Sequence, residues 1–169
     1  MKVILGIGIA VVLLLITSYF IFSPKMPSPV LSSLTPTPII PDGVDRQATF
    51  AIFTNGTFRI FTDPRYHNKS QDVYIEENNP NVVQVKKSGV TWGDFFLTLP
   101  MKVTANCLTT GTGQEFCSNK THTLKFYING VPFSDVLSEE IKPQDKLLIS
   151  YGPESDPDIE NQLQKVPNL

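Results

Sequence analysis

Hydrophobic residues follow two contrasting patterns along this chain, one long uninterrupted run and then a series of short runs that alternate with polar residues. The long run covers residues 3–22 and contains no charged residue. At about 1.5 Å per residue, a helix of that length crosses a hydrocarbon core of about 30 Å. The pattern therefore predicts a transmembrane helix that contacts the lipid bilayer through residues 3–22.

The same apolar run is compatible with an uncleaved anchor or with a cleaved signal peptide. A signal peptide usually has an apolar region of about 7–15 residues, followed by small residues at the cleavage site. Here the run is longer, and the following sequence SYFIFSPKM contains no A-x-A-like site. We therefore expect a signal anchor over residues 1–22, and its short amino-terminal flank favours an orientation with the C-terminal part outside the cytoplasm.

The next segment, residues 23–42, is rich in proline. It contains six prolines and six serine or threonine residues. Proline lacks a backbone donor and disfavours helix, so the composition predicts a semi-extended linker. The remaining residues, 43–169, are expected to form one extracytoplasmic domain.

The first half of this domain shows the two-residue alternation of β-strands. Residues 49–61 predict a hairpin around Asn55-Gly56, a pair that readily adopts the positive φ angles of a tight turn. Residues 71–77 and 81–87 predict a second strand pair, joined by a turn at residues 78–81. The apolar residues that alternate along this second pair, and that are expected to face the core, are Val73, Ile75, Val83 and Val85.

A short helix is predicted after the fourth strand, at residues 91–99, because Thr91 and Asp94 have the spacing of a capping box. Further strands are predicted at residues 101–110, 115–130 and 146–152. A final helix is expected to begin with Asp156 as its cap and to run to about Lys165. Strands with segregated helices indicate an α+β fold with a mostly antiparallel sheet.

The only two cysteines, Cys107 and Cys117, flank a loop whose centre is Thr112. If the two strands form a hairpin, the cysteines face each other and a cross-strand disulfide is sterically feasible. A redox enzyme would place its reactive thiol at a helix amino terminus or in a CxxC motif, where the thiol pKa falls. We therefore interpret the pair as a structural disulfide, with a redox pair and free thiols as the alternatives.

Three pieces of the domain resemble a group of membrane-anchored extracytoplasmic domains from archaea and uncultured bacteria. They are GVTWGDFF, the cysteine pair around a glycine-rich turn, and LKFYING followed by DKLLISYG. Some members carry the loose label of protein-disulfide isomerase. The C-terminal part also resembles a β-grasp, the ubiquitin-like roll in which a sheet wraps a helix. The resemblance covers residues 48–166 and implies an α+β domain on an amino-terminal anchor.

Members of that group have His-x-His patterns before the first strand and on the strands before the helix, which would suit a metal ion. In this chain the corresponding positions are polar but lack imidazoles: Gln47 and Thr49, Tyr74 and Glu76, Gln84 and Lys86. The resemblance therefore implies the fold without a metal site. We interpret the two histidines, His67 and His122, as surface residues, with a metal site of either one with Glu76 as the alternative.

Two further features bear on an extracytoplasmic location and a partner. Asn55, Asn68 and Asn119 each begin an N-x-Ser/Thr pattern, which makes them candidate glycan acceptors. Trp92 is expected in the core, but a partly exposed Trp92 in the first helical turn could instead contact a partner.

Composition narrows the classes of function. The chain has 14 Lys and Arg against 16 Asp and Glu, a net charge of −2, which argues against a nucleic-acid partner. It contains no G-x-S-x-G, H-E-x-x-H or P-loop motif, and we expect no cofactor. We therefore predict a non-enzymatic domain at the cell membrane that binds a membrane or surface protein. The alternative is an accessory role in extracytoplasmic thiol-disulfide exchange or metal handling.

Overall fold

The structure is a computed structural model that describes residues 43–169. The predicted anchor, residues 1–22, and the predicted linker, residues 23–42, lie outside the described residues. Among residues 43–169, no helix combines the length and the apolar character needed to cross a membrane.

The described residues form a mostly β domain with two α-helices, the first of them after the fourth strand, as predicted. The strands are β1 Gly43–Thr54, β2 Thr57–Phe58, β3 Val73–Glu76, β4 Asn79–Lys87, β5 Lys102–Val103, β6 Cys107–Thr109, β7 Glu115–Cys117, β8 Thr123–Ile128, β9 Val131–Pro132 and β10 Lys146–Gly152. The helices are α1 Trp92–Thr98 and α2 Asp156–Leu163, and short 3-10 turns lie at Pro64–Tyr66 and Val136–Ser138.

The main sheet is centred on two parallel strands. Its order is β3-β4-β1-β10-β8-β9, with β2 added beside β1. The pair β1–β10 is parallel, and the other pairs that the described strands make are antiparallel. The mostly antiparallel sheet is thus confirmed, and its central parallel pair brings together the two ends of the described chain.

Both faces of β10 and of the second half of β1 are covered, which explains why these stretches are mostly apolar. On one face, Phe50 and Ile52 of β1 belong to a large core that includes Phe95 and Phe96 of α1. On the other face, Ala51 and Phe53 of β1, together with Leu148 of β10, belong to a smaller core that includes Ile159 of α2. The sheet therefore lies between the two helices.

Local signals predicted several elements correctly. Asn55 and Gly56 have positive φ angles of 50° and 72° and join β1 to β2. Thr91 accepts a hydrogen bond from the Asp94 backbone N–H at 3.1 Å, and the Asp94 carboxylate accepts one from the Thr91 N–H at 2.9 Å, so the capping box is present. The predicted core residues of β3 and β4 are all buried, namely Val73, Ile75, Val83 and Val85.

Three strand predictions were wrong. The single strand predicted at residues 101–110 is divided into β5 and β6, which pair with each other in antiparallel fashion. The turn between β3 and β4 lies at Glu77 and Asn78, and residues 79–81 already belong to β4. Pro80 is tolerated there because β4 pairs with β1 only from Val82 onward, and the Asn81 side chain donates a hydrogen bond to the Phe50 carbonyl at 3.0 Å. Residues 115–130 are not one strand, because β7 and β8 belong to different sheets.

The last helix begins one residue earlier than predicted. Ser155, and not Asp156, is its N-cap, and its Oγ and N–H both donate to the Asp158 carboxylate, at 2.6 and 3.0 Å. Pro157 lies in the first turn, as predicted, and the helix ends at Leu163 rather than Lys165. The capping pair Ser155/Asp158 has the same three-residue spacing as the pair that begins α1.

An ion pair joins two distant parts of the fold. The Glu140 carboxylate accepts hydrogen bonds from the Gly89 N–H at 3.0 Å and from the Arg46 guanidinium at 2.7 Å. These bonds, the first more than the second, lower the pKa of Glu140 below its ordinary value of 4.5. The ionised form is therefore favoured in the folded state.

We expect this lowered pKa to appear in the acid stability of the protein. Because the folded pKa lies below the unfolded value, the stabilisation is fully present well above pH 4.5 and is lost as pH falls through the lower folded pKa. Glu140→Gln should therefore give a flatter stability profile between neutral and acid pH, measured by urea unfolding at a series of pH values. The matched control Glu160→Gln alters an exposed carboxylate and should keep the wild-type slope. An unchanged profile in Glu140→Gln would show that the ion pair contributes nothing.

Candidate functional site

An apolar cleft of about 210 Å³ opens between the end of the β1–β2 hairpin and the hairpin of β6 and β7. Its apolar lining comes from five separate parts of the chain, and consists of Ile52, Phe58, Ile60, Phe61, Tyr66, Met101 and Leu108. A concave apolar site with a few polar groups at its edge is the usual form of a ligand-binding or side-chain-binding pocket. This cleft is therefore the candidate functional site.

The floor and the rim of the cleft differ in exposure. Ile52 and Leu108 are fully buried and belong to the main core, so the floor is as rigid as the core. Ile60, which follows β2, is 69% exposed at the rim. Exposed single apolar residues are common, but this one borders an apolar depression and extends its surface. An apolar group bound in the cleft can therefore bury more of its surface than it could on a flat part of the protein.

One wall of the cleft is the β6–β7 hairpin, which the disulfide closes. Cys107 and Cys117 are directly opposite each other in the register, with Cα atoms 4.1 Å apart, and they form a disulfide. The predicted disulfide is thus confirmed. The next register pair, Leu108 and Phe116, carries buried side chains, and Leu108 is part of the cleft floor. The disulfide therefore holds a strand that forms the site.

The tip of this hairpin is fixed by a close approach to the 3-10 turn at Pro64–Tyr66. A Cβ atom at Gly111 would lie 2.5 Å from Tyr66 Oη and 2.9 Å from the Pro100 carbonyl oxygen, so this position requires glycine. The Arg65 guanidinium donates to the Gly111 carbonyl at 3.4 Å and forms an ion pair with Asp63 at 3.0 Å. The hydrogen bond from the Arg65 side chain lowers the pKa of Asp63, so this carboxylate stays ionised.

Arg59 supplies the positive charge at the cleft. Its Nε donates to Thr54 Oγ1 at 2.6 Å, and its guanidinium carbon lies 5.0 Å from the centre of the Phe116 ring. These two contacts orient the side chain through a hydrogen bond and a cation–π interaction. Arg59 makes no ion pair with any residue in the described range 43–169. Its charge is therefore available to an anionic group beside the cleft.

The structure does not support a partner contact at Trp92. Its side chain is 0% exposed, which agrees with the expected core position, and the alternative of a partly exposed Trp92 is wrong. The three candidate glycan acceptors, Asn55, Asn68 and Asn119, are all exposed. Asn55 and Asn68 have positive φ angles, and the side-chain oxygen of Asn119 accepts hydrogen bonds from the backbone of Thr121 and His122.

The two histidines lie in unlike surroundings. His67 is only 8% exposed, and its Nε2 donates to the Phe61 carbonyl at 2.7 Å, so its interpretation as a surface residue is wrong. The His122 ring stacks on the Tyr151 ring with centroids 5.8 Å apart. Among the residues that the structure describes, no three His, Cys, Asp or Glu side chains come together as a metal-binding group.

The positions that the family resemblance compares with His-x-His patterns partly come together. Gln47 Nε2 donates to Gln84 Oε1 at 3.1 Å, and Tyr74 lies opposite Gln84 in the register of the next strand. These three side chains therefore form a polar row across β1, β4 and β3. The row consists of amides and a phenol, which are poor ligands for a transition metal.

The sequence reasoning missed the cleft, since its lining residues are far apart along the chain and each resembles an ordinary core residue. Two local signals point toward it in retrospect. Ile60 lies between Arg59 and Phe61, two residues after a two-residue strand, and Gly111 lies in the loop between the two cysteines. Neither signal identifies a cleft without the fold.

No protein-family model, curated protein or solved structure matches this chain. The resemblance to membrane-anchored domains therefore stays a prediction. The role of the protein has to be argued from the geometry of its own cleft.

Proposed function

We propose that this protein is a non-enzymatic binding domain, held outside the cytoplasm by an amino-terminal membrane anchor, that recognises a membrane or surface protein. The apolar cleft beside the disulfide-bonded hairpin is the proposed binding site, and it is the observation that carries the proposal. The proposed order along the chain is anchor, residues 1–22, linker, residues 23–42, and domain, residues 43–169.

The sequence supports display at the membrane surface. Residues 3–22 are long enough and apolar enough to span a bilayer, and the proline-rich linker can extend by about 3.1 Å per residue. A disulfide is stable in oxidising compartments and uncommon in the cytosol. These features together favour an extracytoplasmic domain on a tether.

We further propose that the main sheet has the β-grasp arrangement. The support is that β1 and β10 are parallel central neighbours, that β4 and β8 flank them, and that α1 packs on one face. The small sheet of β5, β6 and β7 is inserted between α1 and β8, and it contributes the disulfide-bonded wall of the cleft. The insertion therefore adds a binding site to a simple core.

The occupant that we propose for the cleft is an apolar side chain of the protein partner with a carboxylate beside it. The buried floor and the exposed Ile60 favour the apolar side chain through removal of apolar surface from water. The Arg59 guanidinium, oriented by Thr54 and Phe116, favours the neighbouring carboxylate. A small ligand or the lipid bilayer itself would give a different product in a crosslinking experiment.

A photo-crosslinking amino acid at position 60 tests this proposal in intact cells. We expect the full chain carrying it to sediment with membranes and to form a discrete protein adduct on illumination, because Ile60 borders the cleft. The control carries the same amino acid at Leu97, which is 81% exposed on α1 and does not line the cleft. Adducts with lipid alone, or the same adducts from both positions, would refute the cleft as a protein-binding site.

A second variant pair then tests the chemistry of recognition. Ile60→Asp introduces a charge at the apolar rim and should reduce affinity for the crosslinked protein by about 10-fold or more. Leu97→Asp changes an equally exposed residue and should leave the affinity unchanged. Both variants should keep the wild-type far-ultraviolet circular dichroism spectrum, since neither side chain is buried.

A further inference from the structure

A second, polar pocket of about 250 Å³ lies between α2 and the β1–β2 turn, and it is lined by different residues from those of the apolar cleft. Oxygen-bearing side chains dominate its lining: Glu154, Asp158, Asn161 and Gln162. Two of these residues each carry a buried oxygen atom for which the described residues supply no hydrogen-bond donor.

The first of these atoms belongs to Glu154, whose side chain is only 6% exposed. Its Oε1 accepts a hydrogen bond from the Gly56 N–H at 3.0 Å, but its Oε2 has no hydrogen-bond partner in the described structure. The nearest ammonium, Lys125 Nζ, is 4.0 Å from Oε2 and donates instead to the Glu154 carbonyl at 2.8 Å. The carboxylate is therefore buried with one oxygen that accepts no hydrogen bond and has only the ammonium of Lys125 as an ion-pair neighbour within the described part of the chain.

The second atom is Oε1 of Gln162, a residue that is 5% exposed. It also has no hydrogen-bond partner in residues 43–169. Buried polar groups in folded proteins are nearly always paired, and an unpaired carboxylate oxygen is especially unfavourable. Two residues of one pocket therefore each carry an acceptor that has no hydrogen-bond partner among the described residues and that a group with positive charge or hydrogen-bond donors would satisfy.

The backbone around Glu154 is shaped to accept its carboxylate. A Cβ atom at Gly152 would collide with both carboxylate oxygens, so glycine at this position leaves the space that they fill. The Gly56 N–H, in the β1–β2 turn, fixes the other side of the group. The carboxylate is thus held in place by two glycines and is not a mobile surface charge.

The helix presents the other oxygens from one face. Asp158, Asn161 and Gln162 are three and four residues apart, so their side chains lie on the same side of α2. Asp158 Oδ2 accepts hydrogen bonds from Ser155 at the helix start, which positions this carboxylate and leaves its Oδ1 for another partner. The set combines two carboxylates with two amide side chains.

We propose that this pocket binds a hard divalent cation of the calcium class. Calcium takes carboxylate and amide oxygens as ligands in flexible geometry, whereas zinc prefers imidazole and thiolate, which this pocket lacks. The cation would pair with Oε2 of Glu154 and Oε1 of Gln162 and would connect α2 to the β1–β2 turn through Glu154. Nothing in this proposal depends on the apolar cleft or on its partner.

The neighbouring lysines set the expected affinity. Lys165 also lines the pocket, with its ammonium 5.8 Å from the centre of the Phe53 ring, and Lys125 lies beside Glu154. These positive charges oppose a bound cation, so we expect a dissociation constant in the range of about 0.1–1 mM, as in extracellular calcium modules.

Thermal unfolding of the full chain in a non-ionic detergent tests the proposal. Trp92 is the only tryptophan in the chain and is buried, so its fluorescence follows unfolding of this domain alone. With 10 mM calcium chloride we expect Tm to rise by about 5–10 °C relative to sodium chloride of equal ionic strength. No rise, which would mean that water alone fills the pocket, overturns the proposal, and so does an equal rise with magnesium.

Variants assign the effect to the pocket. Glu154→Gln keeps the shape and the bond from Gly56 but removes the charge, and it should abolish the calcium-dependent rise in Tm. Glu160→Gln alters an exposed carboxylate on the same helix and should keep the rise. If Glu154→Gln does not fold, Asn161→Ala, at an exposed position, should weaken calcium binding several-fold in calorimetric titration. A full response in the folded Glu154→Gln variant, or unchanged calcium binding by Asn161→Ala, refutes the assignment.

Discussion

Trp92→Ala is expected to lower the free energy of unfolding by about 3–5 kcal/mol, the largest effect that we expect from a single substitution in this protein. Trp92 is the first residue of α1 and is completely enclosed. Its ring stacks on Phe96 with centroids 6.5 Å apart and meets the edge of Phe95 at 6.2 Å. Removing the ring leaves a large cavity where the helix packs on the sheet.

The backbone around Trp92 adds to this effect. The Trp92 N–H donates to the Glu139 carbonyl at 3.0 Å, so the start of α1 is bonded to the segment that precedes β10. The indole Nε1, in contrast, has no hydrogen-bond partner in the described residues. Trp92→Phe keeps most of the apolar contact and removes the unpaired donor, so it should cost far less than Trp92→Ala, about 1 kcal/mol.

Urea unfolding followed by circular dichroism measures these differences, since the variants lack the fluorescent residue. Leu97→Ala is the matched control on the same helix, because its side chain is 81% exposed and its loss should change the free energy of unfolding by less than about 0.5 kcal/mol. A loss below about 1 kcal/mol in Trp92→Ala would contradict the enclosed position of Trp92 in the core.

The second large effect is expected from removal of the disulfide. Replacing both Cys107 and Cys117 with serine should lower the free energy of unfolding by about 2.5–3 kcal/mol, the chain-entropy value for a closed loop of about 11 residues. Removal of the disulfide should also loosen the wall of the apolar cleft, because Leu108, which lines the cleft, directly follows Cys107. Affinity for a partner crosslinked at Ile60 should therefore fall in the double variant as well.

The same variant separates a structural disulfide from a redox centre. Both cysteines lie on strands of a three-stranded sheet, and each is half-buried. We expect the wild-type chain to show no reductase or isomerase turnover, and the folded double variant to differ from it only in stability and affinity. Wild-type turnover that disappears in the folded variant would favour the accessory role in thiol-disulfide exchange. Chemical denaturation and an insulin-reduction assay provide the two measurements.

The fold was predictable where the decisive interactions are local. The β1–β2 turn depends on Asn55-Gly56, and the start of α1 depends on Thr91 and Asp94, so neighbours in sequence determine both. The disulfide was also predictable, because the loop around Thr112 is symmetric and places the cysteines opposite each other once a hairpin forms.

Predictions failed where a distant contact outweighed a local pattern. Residues 115–130 have strand-forming composition throughout, but the chain changes sheet between β7 and β8, where the Ser118 Oγ accepts a hydrogen bond from the Leu124 N–H at 2.9 Å. Pro80 suggested a turn, but it is accommodated in β4 because no residue of β1 pairs with it. Where a strand begins or ends, and which sheet it joins, therefore depends on which strands become neighbours in the fold.

The amino-acid sequence by itself determined the cap of α1, the tight turn, the alternation of β3 and β4 and the pairing of the cysteines, because each depends on residues that are close together along the chain. Only the tertiary structure decided that β1 and β10 lie side by side in parallel, that Trp92 is enclosed, and that the apolar cleft and the Glu154 pocket exist. The physical reason is that burial and strand pairing join residues as far apart as Thr49 and Lys146, and no local pattern specifies such a contact.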